Sequence, residues 1–299
     1  MVQADGFEDH RDHLLGVAYR MLGSWAEAED AVQEAWLRYA ASRPDDLADP
    51  RGWLTTVTAR ICLDVLRSAR VRRESYVGQW LPEPVVSRLP AGGPDPADRV
   101  ARTDEVSLAL LVVLDRLGPE QRVAFVLHDV FAVPFEEIAA ALGTSVPAAR
   151  QLASRARRAV ADGGVRHDRD RAQQRRVLAA FLDAAERGDI DGLLAVLAPD
   201  IVVIGDGATA TRTPVTGALR VARFLANLVR QSRRPGITVE PVLVNGDLGL
   251  LVDQRLPDGT VQRVVTAFAV ADGQITAVFN QLNPEKLTRT GPPAGGGLR

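Results

Sequence analysis

The residues from 134 to 160, PFEEIAAALGTSVPAARQLASRARRAV, constrain this chain more than any other stretch. Phe135, Ile138, Ala139 and Leu142 recur at i, i+3, i+4 and i+7, the apolar stripe of a short helix. Gly143 is expected to end that helix. Thr144-Ser145 offers an N-cap for a second one, and Pro147 suits its first turn. The second helix is expected to bury Val146, Ala149, Leu152, Ala153, Ala156 and Val160. Its polar face carries Arg150, Gln151, Ser154, Arg155, Arg157 and Arg158, with Pro147 and Ala148 at its leading end. Ala139 is small where two crossing helices approach, and Gly143 suits a tight turn. The pattern is that of a helix-turn-helix with a basic second helix. Arginine takes phosphates or the O6/N7 edge of guanine, and glutamine reads adenine. A helical hairpin with a solvated charged face is the alternative.

The net charge of −2 conceals an uneven distribution. From Asp5 to Glu34 eight acids stand against Arg11 and Arg20, whereas from Arg150 to Arg176 nine arginines stand against Asp162, Asp168 and Asp170. An acidic front and a basic middle suggest different partners for different segments. Cys62 is the only cysteine and lies in an apolar helical pattern, which leaves no disulfide framework or thiolate metal cluster. Residues 3 to 13 are largely charged, unlike a signal peptide, and no run reaches the roughly 18 apolar residues of a membrane span. A cytosolic protein without membrane partner, metal or cofactor is expected.

Residues 7 to 73 read as a helical domain. Leu14, Leu15, Ala18, Tyr19 and Leu22 form one stripe, and Ala28, Ala31, Val32, Ala35, Trp36 and Tyr39 a second. Glu27, Glu29, Asp30 and Glu34 face outward from the latter. Asp49-Pro50 starts a third helix through Trp53, Leu54, Val57, Ile61, Val65 and Leu66, with Arg60, Arg67, Arg70, Arg72 and Arg73 along or just beyond it. A basic helix with a tryptophan suits single-stranded nucleic acid, and equally a solvated surface.

Residues 74 to 103 break the periodicity with five prolines and Gly92-Gly93, as a linker does. Tyr76, Val77, Trp80 and Leu81 cluster there ahead of Pro82-Glu83-Pro84. Large apolar groups in a linker dock on something, or Trp80 packs on the preceding helix. Helical pattern resumes over residues 104 to 164. Residues 165 to 287 then change character: helices over 177–185, 193–197 and 218–229, a strand at 201–204, and strands at 237–244, 248–256, 260–270 and 274–281. Asn245-Gly246, Asp258-Gly259 and Asp272-Gly273 mark hairpin turns, so an α+β domain with an antiparallel meander is expected, followed by a tail from 288 to 299.

Three stretches, AEAEDAVQEAWLRYA, DPRGWLTTVTARICLDVLRSAR and LDRLGPEQRVAFVLHDVFAVPFEEIAAALGTSVPAARQLASRARR, resemble an extracytoplasmic-function sigma factor, a specificity subunit of bacterial RNA polymerase. The resemblance covers most of residues 7 to 160. It implies two all-α sigma domains whose partners are core RNA polymerase (clamp and flap) and promoter DNA. On it, Glu27, Glu29, Asp30, Glu34 and Arg38 grip the clamp. Arg51, Trp53, Arg60, Arg67 and Arg70 serve the minus-ten element, and the helix from Val146 to Arg158 reads the minus-thirty-five element. Gln151-Leu152 stands where many such factors carry Ser-Arg, so the promoter sequence does not carry over.

The third region resembles the cone-shaped SnoaL-like fold. Trp80-Leu81-Pro82-Glu83-Pro84 and Asn283-Pro284-Glu285-Lys286-Leu287 resemble signature motifs of the sigma subgroup with this fused extension. The resemblance pairs them as one contact in cis, with Lys286 available to an acid such as Glu83. It implies a built-in regulator in place of a separate anti-sigma factor. That subgroup also carries Asp-Gly-Gly-Gly-Lys where this chain has Asp206-Gly-Ala-Thr-Ala210. Relatives of the fold include cyclases and isomerases that move protons with Asp/His or Asp/Tyr pairs. Here all four histidines precede the third domain and no tyrosine follows Tyr76, which leaves Asp206 or Asp253 as a lone base or a turn residue. A one-component regulator with a ligand in the cone is the other reading.

Overall fold

In a computed structural model, the chain is described over residues 5–42, 49–73, 79–89, 107–162, 167, 170–207, 213–232 and 235–290, with the side chains of 5, 6, 42 and 69–73 left aside. Tyr76, Val77, the linker prolines beyond Pro84 and Ala208–Ala210 lie outside the described residues, as do the side chains of Arg70, Arg72 and Arg73. The chain forms two compact units. Residues 1–75 and 111–164 make the first, and residues 76–110 and 165–299 the second.

The first unit is helical. Its first part comprises α1 (Asp5–Leu22), α2 (Trp25–Ser42) and α3 (Pro50–Arg73). The Ser24 hydroxyl accepts the Glu27 N–H at the start of α2, and Asp49 accepts from Gly52 N at 3.0 Å to cap α3. Leu14, Ala18, Leu22, Ala28, Ala35 and Leu54 are fully buried between the three helices. The second part comprises α4 (Leu108–Leu114), α5 (Pro119–Phe125) with a π-helical turn over Val126–Val130, α6 (Phe135–Leu142) and α7 (Val146–Asp162). Gly143 ends α6 at φ +63°, in the left-handed region that a β-carbon disfavours, and Ser145 Oγ accepts the Ala148 N–H to start α7. Ala149, Ala153 and Ala156 are the buried residues of α7, whereas Val146, Leu152 and Val160 are only half-buried.

The second unit is α+β. Helices α8 (Arg171–Arg187), α9 (Ile190–Val196) and α10 (Ala218–Ser232) cover one face of a seven-stranded sheet. Its strands are β1 (Val86–Arg88), β2 (Leu197–Asp206), β3 (Val215–Thr216), β4 (Ile237–Val244), β5 (Asp247–Arg255), β6 (Val261–Ala271) and β7 (Gln274–Gln281), in the order β1-β4-β5-β6-β7-β2-β3. The expected meander forms over β4–β7, with Asn245-Gly246 and Asp272-Gly273 at positive φ in two-residue turns. The sheet as a whole is mixed, because β2 joins β7 in parallel. Its far edge is completed by the linker, whose residues Val86, Ser87 and Arg88 pair antiparallel with Val244, Leu243 and Val242. The cone interior is packed with apolar side chains, among them Phe181 and Phe268 with ring centroids 5.7 Å apart.

Candidate nucleic-acid interface and linker junction

On α7 the polar face forms as the sequence pattern requires. Arg150, Gln151, Ser154, Arg155, Arg157 and Arg158 are all exposed, with Pro147 exposed and Ala148 half-buried at the leading end. Two of these arginines have intramolecular engagements. Arg157 Nε donates to Asp129 at 2.6 Å, and Arg150 lies over the Phe135 ring with Glu136 at 3.9 Å.

On α3, Arg51 and Arg60 are exposed and Trp53 is half-buried, its ring 5.9 Å from that of Tyr39. The arginines meet their own unit. Arg51 Nη2 lies 3.1 Å from His13 Nδ1, and Arg60 Nη2 donates to the Ala140 carbonyl of α6 at 2.7 Å. Arg67 forms an ion pair with Glu120 of α5 at 2.8 Å. Arg122 of α5 is 1% exposed, donating to Asp115 and to the Arg20 carbonyl of α1. On α2, Asp30 and Arg38 are exposed, and Glu27, Glu29 and Glu34 are half-buried. Glu34 pairs with Arg38 at 2.9 Å, beside Leu37, which is 54% exposed.

In the second unit the linker segment and the C-terminal motif meet. Lys286 Nζ donates to the Leu81 carbonyl at 2.8 Å and lies 4.3 Å from the Trp80 ring centroid. The acid at 2.6 Å from it is Asp206, at the end of β2; Glu83, the acid suggested by the sequence, is buried in the same linker segment. Asp206 Oδ2 also accepts from Leu81 N at 2.8 Å and from Gln281 Nε2 at 3.3 Å. Leu81 through Pro84 are buried, Trp80 is half-buried, and Asn283 accepts the Glu285 N–H to start a single 3-10 turn over Pro284–Lys286. Leu287, at its end, is buried. Farther along, Val85 and Asn245 exchange hydrogen bonds that lead into the β1–β4 pairing.

Neither carboxylate considered as a lone base stands free. Asp206 is enclosed by the donors above, and both oxygens of Asp253 accept from Arg263, at 2.7 and 2.8 Å. Those hydrogen bonds raise the Arg263 pKa further above its already high value. Sequence reasoning missed Asp206 as the centre of the junction. The available signals were its place just after the apolar run Ile201–Ile204 and the uniqueness of Lys286 as the chain's one lysine.

Family models match in the same order as the surfaces. Sigma-70 region 2 covers residues 7–72, Sigma-70 region 4 covers 107–160, and a SnoaL-like domain covers 178–278. The ECF RNA polymerase sigma factor SigJ of Mycobacterium tuberculosis is 47% identical over 300 residues, across 96% of this chain and 94% of that protein. This chain belongs to the ECF RNA polymerase sigma factors. The probable ECF sigma factor SigI of the same species is 37% identical across 96% of both chains. The crystal structure of SigJ superposes with a TM-score of 0.76 at 42% identity, covering 96% of this chain and 99% of that one. This sigma factor therefore shares a three-part organisation, helical modules followed by a SnoaL-like domain, with relatives along nearly its whole length.

Proposed function

We propose that this sigma factor brings bacterial RNA polymerase to specific promoters in the cytoplasm. Its C-terminal domain would regulate the process in cis by holding the linker between the two promoter-reading modules. The observation that carries the regulatory reading is the burial of Leu81–Pro84 on the Asp206–Lys286 pair, followed by the β1 strand. A linker built into a domain has lost the freedom of a linker.

The acids of α2 and Arg38 serve core polymerase. Arg51, Trp53, Arg60, Arg67 and Arg70 serve the minus-ten element, and the polar face of α7 serves the minus-thirty-five element. Two elements about 25 base pairs apart lie roughly 85 Å apart on B-DNA at about 3.4 Å per base pair. The Arg60–Ala140 and Arg67–Glu120 contacts therefore belong to a closed form that opens on the promoter. Phosphates compete for the same two arginines, and the buried Arg122 makes the closed contact costly to keep, so a modest bias decides the balance. The SnoaL-like domain is a regulator and not a catalyst: its two candidate acids are engaged by Lys286 and Arg263. The full-length similarity to named sigma factors favours this reading over a one-component regulator.

The test is reconstitution with core polymerase and transcription from a randomised promoter library. Enrichment of a two-element promoter supports the proposal. Transcription no different from core enzyme alone would refute it.

A further inference from the structure

Helix α10 of the C-terminal domain, within an acid-free stretch of sequence, is used neither by the junction nor by the readings given to the sigma modules. From Gly207 to Val239 the sequence has six arginines (212, 220, 223, 230, 233 and 234) and no acid. The rest of residues 165–299 carries fourteen acids against eleven lysines and arginines. Helix α10 lies within this stretch and buries Val221, Ala222 and Leu225 against the sheet. Arg220, Arg223, Asn227 and Arg230 are spaced i, i+3, i+7 and i+10, a single stripe on the opposite side, and all four are exposed. At about 1.5 Å per residue the stripe runs roughly 15 Å, the reach of two to three phosphates along a strand.

We propose that α10 is a further DNA-binding surface of this protein, one that takes the phosphate backbone without reading sequence. The stripe borders a cleft of about 430 Å³ in which Arg223, Asn227 and Arg230 face Arg187 at the end of α8. Arg187 is neutralised by Asp183 and Asp189, and Glu186 also lines the cleft, so the usable positive charge is that of α10. Among the described residues, Arg220, Arg223 and Arg230 make no ion pair; the partner of Arg230 is Asn227, at 2.7 Å. The pattern matches the chain's own recognition helix, since α7 likewise combines arginines with one amide and is free of acid until Asp162. A polyanion is the occupant that this charge selects. Leu219 and Leu228, 46% and 44% exposed, flank the stripe and are what a protein partner would bury instead.

The proposal rests on the promoter-binding reading, and the experiment separates the two failures. Holoenzyme assembled with Arg220→Gln/Arg223→Gln/Arg230→Gln is compared with the parent on one promoter fragment, by fluorescence anisotropy at 50 to 200 mM KCl. Loss of three phosphate contacts lowers the salt slope by about 2.7, so the parent should weaken about 40-fold more than the variant across that range. The triple Arg→Lys variant should keep the parent's slope, because a point charge suffices for phosphate. Arg175→Gln/Arg176→Gln, at exposed positions on α8, should leave the slope unchanged. A parent that binds no promoter at all overturns the promoter reading itself. A parental slope in the glutamine variant, or an equal loss in the α8 control, overturns the α10 proposal alone. So does a fall in core-polymerase affinity for Leu219→Ser/Leu228→Ser with the DNA slope unmoved by the arginine changes.

Discussion

Lys286 Nζ lies 2.6 Å from Asp206 Oδ2, with the two side chains 15% and 0% exposed. The pair is enclosed with the Leu81 backbone, so its geometry also holds the linker. Removing one member of a buried, hydrogen-bonded pair leaves the other charged without compensation, at a cost of about 3–5 kcal/mol. Asp206→Ala is therefore expected to lower the stability of the C-terminal domain by about that much. Lys286→Met should recover part of the loss when added to it, because the stranded ammonium goes too. A urea-unfolding double-mutant cycle checks this. Strictly additive losses would contradict the pairing.

Gly207 follows Asp206 at φ +131°, and a β-carbon there would sit 2.8 Å from the Leu282 carbonyl carbon and 2.9 Å from Asn283 N. Both obstacles are backbone, which cannot swing away. Gly207→Ala should cost several kcal/mol and displace the Asn283–Leu287 motif. Gly143→Ala, with φ +63° but nothing within 4 Å, should cost only about 1–2 kcal/mol. A urea midpoint of the C-terminal domain no lower in Gly207→Ala than in the parent would show that the Asp-Gly corner is not tightly packed.

The two glycines also show what the sequence could reveal. Gly143 was legible because apolar spacing stops at Leu142 and a capping pair follows, all within a few residues. The hairpins at Asn245-Gly246 and Asp272-Gly273 were legible for the same local reason. Trp80 and Leu81 stood out as apolar residues in a linker and Asn283–Leu287 through its resemblance to a paired motif, whereas Asp206 was legible only as a loop or lone-base residue and not as the acid between them. Asp206 and Lys286 lie 80 positions apart, and no local pattern links them. The parallel β2–β7 pairing and the three-residue strand Val86–Arg88 escaped notice similarly, since an edge strand that short is defined by the free edge of β4. The Arg67–Glu120 contact needed tertiary packing to appear at all.

Glu120 is 39% exposed and Arg67 50% exposed, which limits their pair to about 1 kcal/mol at most. Glu120→Gln should therefore leave the melting temperature nearly unchanged. It should still release Arg67 and raise affinity of the free chain for minus-ten DNA by up to about fivefold. Anisotropy with an unpaired minus-ten oligonucleotide reads this directly. No gain would mean that the contact does not restrain Arg67.

On α7, Arg157 is already paired with Asp129, whereas Arg158 has an exposed guanidinium. Arg158→Ala should lower the salt slope of promoter binding by about 1, and Arg157→Ala by less. Gln151→Ala should alter preference at one or two bases while leaving the slope alone. Binding-site selection with each variant tests the division; an unaltered base profile for Gln151→Ala would remove its reading role.

Cys62 is fully buried on α3, and desolvation pushes its thiol pKa far up. The folded chain should resist thiol reagents at neutral pH and react only on unfolding. The unfolded thiol ionises near 8.5, so this group leaves stability unchanged below that pH and reduces it as pH rises above it. Labelling with a chromogenic disulfide, with and without urea, checks the point. Rapid reaction of the native protein would contradict it.

Run-off transcription by reconstituted holoenzyme, with parent and Trp80→Ala chains on one promoter, bears most directly on regulation through the linker. Removing the indole takes away the ring over Lys286 and weakens the hold on Leu81. The expected result is a change in transcript yield of at least threefold, in either direction, with core-polymerase affinity and promoter affinity within twofold of the parent. Equal yields from the two holoenzymes, together with equal yields from a chain cut before Asn283, would contradict regulation through the linker junction.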